Sequence, residues 1–147
     1  MQYYFVDLDG TLKTDRDYQG GETLSLGNNR YGYRIRPHAL EFLQELAKIG
    51  KVFICTLSSL RYATFFMEKI GAQDVVEEIY SREKLDKMPK VPTYVLIDND
   101  GAMAKGKATF IERNNFVLKS KIVVVDTYAG NPDDNELLSR LDEIKTP

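Results

Sequence analysis

Apolar residues along this chain fall into two alternating patterns, and the alternation predicts a fold. One pattern is the short unbroken run: QYYFV at 2–6, VFIC at 52–55, TYVLID at 93–98 and KIVVVD at 121–126. Runs this short, rich in β-branched and aromatic residues, predict buried strands of a parallel sheet. The other pattern recurs every three or four residues. Pro37 opens a helix whose apolar face is Ala39, Leu40, Phe42, Leu43, Leu46 and Ile49, and Gly50 ends it. A second helix is expected over 59–70, closed by Gly71. A final one is capped by Asn131-Pro132-Asp133-Asp134, with Leu137, Leu138, Leu141 and Ile144 inward.

Between these lie less regular pieces. Residues 12–21 are polar and end in Gly20-Gly21, a loop, and residues 22–37 alternate around Gly27-Asn28-Asn29, which predicts a β-hairpin. VVEEIY at 75–80 reads as a short strand or a loop leading into the charged REKLDKMPK. Residues 101–120 are the least legible, with strand-like pieces ATFIE and NFVLK. Strands alternating with helices predict one α/β domain over residues 1–147. Its expected form is a three-layer, Rossmann-like sandwich with a central, mainly parallel sheet, a small β-hairpin flap and no large cap domain.

Three of the strands run into polar residues: Asp7, Thr56 and Asp98. The carboxyl ends of parallel strands share one edge, the usual place of the ligand crevice. Asp7, Asp9 and Asp98 gathered there repel one another unless a divalent cation neutralises them, and hard oxygen ligands favour Mg²⁺. Such an ion fills its remaining positions with water and substrate phosphate, so the pattern predicts a phosphate-handling site.

Composition narrows the picture without changing it. With 43% apolar and 29% charged residues the chain has an ordinary globular balance, and a net charge of −2 gives no general attraction to nucleic acid or anionic membrane. No apolar run approaches bilayer length and no signal core is visible. The single cysteine, Cys55, excludes an internal disulfide and fits a reducing compartment, so a cytoplasmic monomer is the expectation.

Asp7-Leu8-Asp9-Gly10-Thr11-Leu12 resembles the first motif of the haloacid dehalogenase (HAD) superfamily of phosphohydrolases. Thr56 resembles the second, a lysine of REKLDK the third, and Asp98-Asn99-Asp100 the fourth, in that order. A narrower resemblance, to the branch containing the small CTD phosphatases, is carried by Arg36-Pro37-His38, by Cys55-Thr56-Leu57-Ser58-Ser59, by VLIDN at 95–99 and by Tyr128-Ala129-Gly130-Asn131-Pro132-Asp133-Asp134. Members of that branch remove phosphate from phosphoserine in protein tails. Gly10 stands where that branch often has another residue, and the stretch from Thr56 to Lys84 is short for its inserted sheet.

The resemblance implies a role for each residue. Asp7 attacks phosphorus and forms an aspartyl-phosphate, and Asp9 is the acid and base. Gly10 allows the tight exit from the strand, and Gly10, Thr11, Thr56 and Leu57, with the lysine, are the expected phosphate-binding positions. Asp7, the carbonyl of Asp9, and Asp98 or Asn99 hold Mg²⁺. Lys84, Lys87 and Lys90 are the candidates for the charge-offsetting lysine, with Lys84 favoured because it follows Arg82-Glu83. Asp100 either orients that lysine or faces water.

The same residues have blander readings. His38 is read as structural and Cys55 as a small packed hydrophobe. Tyr31, Tyr33 and Arg34 either line the mouth of the site or pack on the hairpin. The open crevice favours a large phosphorylated substrate, a protein segment before a 3′-phosphorylated nucleic-acid end or a small molecule. The rival of another class is a non-catalytic binding module of HAD-like fold.

Overall fold

The computed structural model describes residues 2–113 and 119–146. Five strands form the main sheet: β1 (Gln2–Val6), β4 (Gly50–Cys55), β5 (Glu78–Tyr80), β6 (Thr93–Asp98) and β7 (Lys119–Val124). Their order is β5-β4-β1-β6-β7 and every pairing is parallel. The chain winds outward from β1 through β4 to β5, then returns to β1's other side for β6 and β7. The strand order therefore reverses at β1, which is where an open α/β sheet forms its crevice. Strands β2 (Glu22–Leu26) and β3 (Asn29–Tyr33) form the expected antiparallel hairpin.

Side-chain parity along the strands decides which face each residue serves. Tyr4, Val6, Val52, Ile54, Val95 and Ile97 join one core, shared with α1 (Ala39–Ala47) and α2 (Leu60–Ile70). The intervening Phe5, Phe53, Cys55, Tyr94 and Leu96 join a second core, under α3 (Gly101–Arg113). Continuing the same period of two, Asp7 follows Phe5 and Asp98 follows Leu96. Both acids thus emerge at the sheet's end on the side covered by α3. This is an α/β fold with helices on both faces of a parallel sheet.

The helices depart from expectation in four places, one being that α1 ends at Ala47, so Ile49 is exposed rather than inward and Gly50 opens β4 instead of ending the helix. Pro37 does not open α1. His38 takes a left-handed conformation (φ 67°) and the helix begins at Ala39. The backbone there is tied elsewhere, because the Arg36 N–H donates to the Leu12 carbonyl at 2.9 Å. The expected final helix is two short ones, α4 (Glu136–Ser139) and α5 (Leu141–Lys145), with Leu137 and Ile144 fully buried. Residues 101–113 form α3, so ATFIE is helical, and most of NFVLK lies outside the described residues. Among the described residues no helix is long and apolar enough to cross a membrane.

Candidate active site

Asp7 leaves β1 at the centre of the sheet, and its N–H still donates to the Ile97 carbonyl at 2.9 Å. Gly10 then turns the chain with a positive φ of 80°. A Cβ at that position would lie 2.4 Å from the Asn99 side chain, so glycine is what lets Asn99 approach the loop. The turn is closed by Leu8 accepting from the N–H groups of Thr11 and Leu12. Arg36, fully buried, braces it from behind. One guanidinium nitrogen donates to the Thr11 carbonyl at 3.1 Å, and two grip Asp134 at 2.7 and 3.1 Å. Arg36 and Asp134, singled out by resemblance, are thus supports of the loop that carries Asp9 to Thr11.

A cavity of about 310 Å³ opens at this edge, lined among others by Asp7, Asp9, Thr56, Leu57, Asp98 and Asn99. Gly10 and Thr11, expected to bind phosphate, form the turn behind this wall and do not line it, and the expected lysine is also elsewhere. Lys84 sits on a 3-10 segment, Arg82–Lys87, half-exposed and 3.3 Å from Glu78, and does not reach the cavity. Lys87 and Lys90 also lie outside it. The lysine at the site is Lys107 of α3, buried, with Nζ 2.7 Å from Asp7 Oδ1 and 2.7 Å from Asp98 Oδ2. Helical side chains lean toward the helix N-terminus, so a residue two turns into α3 reaches back to the strand ends. Of the two readings of Asp100 the one facing water holds: it is exposed at the cavity wall, and its carboxylate also caps α3 by accepting from the N–H groups of Ala102 and Met103.

Charge counting explains what the site needs. Asp7 and Asp98, both buried, share one ammonium, which leaves one negative charge without compensation. Burial, opposed by Lys107 and reinforced by Asp98, pushes the Asp7 carboxyl well above its usual range. Burial also works against the Lys107 ammonium, but the charge of Asp7 and its neighbours outweighs it and keeps the lysine charged. A proton on Asp7 or a cation beside it satisfies the same deficit.

Asn99 tells where a cation fits. The end of its amide that faces the site lies 2.9 Å from Asp7 Oδ2 and 2.9 Å from the Asp9 carbonyl oxygen, with Thr11 Oγ1 at 3.2 Å. With its nitrogen turned inward, the amide donates to these oxygens. With its oxygen inward it accepts from the Thr11 hydroxyl at 3.2 Å and brings three oxygens together, an arrangement that a cation would stabilise. A spacing near 2.9 Å is the edge of an octahedron with bonds of about 2.0–2.1 Å, the geometry of Mg²⁺. Among the described residues no three His, Cys, Asp or Glu side chains gather to hold a metal. That fits a donor set in which one member is an amide and another a backbone carbonyl, with one carboxylate between them.

Asp9 is held differently. Its Oδ1 accepts from Lys13 Nζ and from the Tyr62 hydroxyl, both at 2.6 Å, and its Oδ2 from Ser58 Oγ at 2.8 Å. Lys13 is fully buried, and its Nζ also donates to the Thr14 carbonyl and to Tyr62. Thr56, at the cavity wall, accepts from the Ser58 N–H through Oγ1 at 3.1 Å. Cys55 is buried beneath the site and its thiol is pushed up to about 12 by burial, which removes it as a nucleophile.

The hairpin residues divide. Tyr33 is core, packed edge-on against Phe66, and Arg34 donates to the Tyr18 hydroxyl; Tyr31 lines a neighbouring cavity. None of the three lines the acidic cavity. His38 is exposed, 3.4 Å from Glu41.

A family model, NLI interacting factor-like phosphatase, matches residues 4–146. The chain belongs to that family. Solved structures agree with it in fold. The HAD domain of effector protein Lem4 from Legionella pneumophila superposes with a TM-score of 0.63 at 15% identity, covering 98% of this chain and 92% of that one. Fission yeast RNA polymerase II CTD phosphatase Fcp1, bound to beryllium fluoride, gives 0.58 at 16% identity over 95% of this chain. This chain spans 48% of the Fcp1 chain. Legionella pneumophila effector Ceg4 gives 0.55 at 14% identity, covering 99% and 96%. No curated protein matches the sequence.

Proposed function

We propose that this NLI interacting factor-like protein is a Mg²⁺-dependent phosphomonoesterase that works through an aspartyl-phosphate on Asp7 and acts on a phosphorylated protein segment. The observation that carries the reading is the buried Asp7 carboxylate, held at 2.7 Å by Lys107 at the reversal point of the sheet. Oδ2 faces Asn99 and the Asp9 carbonyl, so Oδ1 is the oxygen that attacks phosphorus. Lys107, already on Oδ1, then neutralises charge on the transferring group, and the Thr56 hydroxyl donates to one of its oxygens. Asp7, the Asp9 carbonyl and Asn99 hold the cation, whose chemistry is to offset phosphate charge and lower the repulsion between Asp7 and its substrate.

Asp9 supplies the proton to the leaving oxygen and later accepts one from water. Its Oδ2 is the oxygen at the cavity, and rotation of the Ser58 hydroxyl frees it for this exchange. A phosphoprotein substrate is supported by the family and by Fcp1, described as a phosphatase of the RNA polymerase II CTD. The open cavity, with no domain folded over it among the described residues, also suits an extended segment. Hydrolysis of p-nitrophenyl phosphate with and without Mg²⁺, with Asp7→Asn as control, tests the reading. Metal-dependent turnover that disappears in the variant is expected. Equal turnover by the variant, or none by the wild type with any divalent metal, overturns it and favours a binding module.

A further inference from the structure

A second cavity of about 360 Å³ adjoins the acidic one, and its charge is opposite. Arg16 belongs to the walls of both cavities, while Arg61 and Arg82 line only the second. Three arginines line one concavity that has no acidic residue in its wall; the carboxylates nearest to Arg16 belong to the acidic cavity on its other side. Neither Arg16 nor Arg61 has an ion-pair partner among the described residues, and Arg82 reaches Glu83 only at 3.8 Å. Glu83 is itself committed, accepting from the Leu60 N–H and the Ser81 hydroxyl. The basic cluster is local, since the whole chain carries a net charge of −2.

Arg16 is held in place for this position. Its guanidinium carbon lies 5.2 Å from the ring centroids of both Tyr31 and Tyr62, and one nitrogen donates to the Tyr31 hydroxyl at 3.1 Å. Another approaches Ser58 Oγ at 3.5 Å. Tyr62 joins the two cavities: its hydroxyl is on Asp9, and its ring supports Arg16. A guanidinium that is oriented by aromatic rings and lacks a carboxylate is a ready receptor for phosphate.

We propose that Arg16, Arg61 and Arg82 form a second anion subsite, which takes a phosphorylated side chain flanking the phosphoserine that enters the Asp7 cavity. The proposal rests on the phosphatase reading above and names its substrate class: a doubly phosphorylated peptide. Adjoining cavities of this size are bridged by about two or three extended residues, at roughly 3.3–3.6 Å each. A nucleic-acid strand fits less well. The faces of Tyr31 and Tyr62 that could stack on bases are covered by Arg16, and the two rings meet edge to face at 5.3 Å.

Binding and turnover separate this proposal from the reading beneath it. Fluorescence anisotropy is measured on the Asp7→Asn protein with peptides carrying one phosphoserine, and with peptides carrying a second at each offset from −4 to +4. The same peptides are given to the wild type as substrates, and a 3′-phosphorylated oligonucleotide is included in both arms. One or two offsets are expected to bind about tenfold tighter than the singly phosphorylated peptide, at low salt. Arg61→Ala with Arg82→Ala reduces that preference toward one, and Arg61→Lys with Arg82→Lys restores part of it. Equal binding at all offsets overturns the subsite, as does a preference that survives loss of both arginines. Tighter binding of the oligonucleotide, lost in the double variant, overturns the peptide assignment. If the offset preference stands while no phosphate is released, the subsite holds and the phosphatase reading falls.

Discussion

Two buried lysines serve the two opening aspartates, and they are held in opposite ways. Lys107 bridges two carboxylates, those of Asp7 and Asp98, and stays charged with its proton bound more firmly than usual. Lys13 meets one carboxylate, that of Asp9, and lies 4.6 Å from the Phe66 centroid and 5.2 Å from that of Tyr62. Burial dominates there and shifts its proton affinity downward. At Lys107 the charge of Asp7 and its neighbours outweighs desolvation, whereas at Lys13 desolvation, aided by Arg16, outweighs Asp9 and Asp15. The consequence is functional. Lys107 presents a firm positive charge to the cavity, which under the proposed function receives the phosphate. Lys13 is sealed behind Asp9, and its work is to fix that carboxylate's position together with Tyr62 and Ser58.

The largest effect that would break this comparison lies at Asp7 itself. Asp7→Asn should lower turnover of an aryl phosphate by about 10⁴-fold or more, since it removes the oxygen proposed to attack phosphorus. Lys107→Ala comes next, with a fall of about 10²–10³-fold in kcat that is shared by good and poor leaving groups. Lys13→Met sharpens the contrast. It should cost about tenfold to a hundredfold, and the loss should grow as the leaving group worsens, because Asp9 is displaced rather than Asp7. A Lys13→Met loss that is equal for all leaving groups would erase the distinction between the two lysines.

Asp134→Ala acts on stability. It leaves the Arg36 guanidinium buried with only the Thr11 carbonyl, and should lower stability by roughly 3 kcal/mol, a fall in Tm of about 10 °C by calorimetry. Burial raises the Asp134 proton affinity, but the Arg36 hydrogen bonds and charge outweigh it, so its folded-state pKa lies below the ordinary value of 3.8. A group depressed in this way contributes fully above its unfolded-state pKa and loses the contribution as pH falls through the folded one. The wild type's advantage over the variant should therefore be constant at neutral pH and shrink below about pH 4. Smallest of all, Lys84→Ala should change activity less than about twofold and stability by about 0.5 kcal/mol or less. A large loss there would return the site lysine to the charged segment.

What was legible in the sequence follows the same physics. Buried parallel strands announce themselves as apolar runs, and three of them end on Asp7, Thr56 and Asp98, so the sheet and the site's edge were readable. Helix α3 was not. Gly101 and Gly106 weaken a helical reading, and Thr109, Phe110 and Ile111 look like a strand. Its buried positions, Ala104, Lys107, Ala108 and Ile111, do have helical spacing, with a lysine on the apolar stripe. A charge on such a stripe must be paired, and that was the available signal for Lys107. Lys84 drew attention by order along the chain, whereas position in space is set by the face on which α3 crosses the sheet.

The central claim is that Asp7 accepts the phosphoryl group with Lys107 as its charge partner. A crystal structure with Mg²⁺ and beryllium fluoride tests it most directly. The account predicts beryllium bonded to Asp7 Oδ1, with Lys107 Nζ within hydrogen-bonding distance of a fluoride. Beryllium fluoride bound elsewhere, or bound to Asp7 with Lys107 turned away from it, would contradict the account.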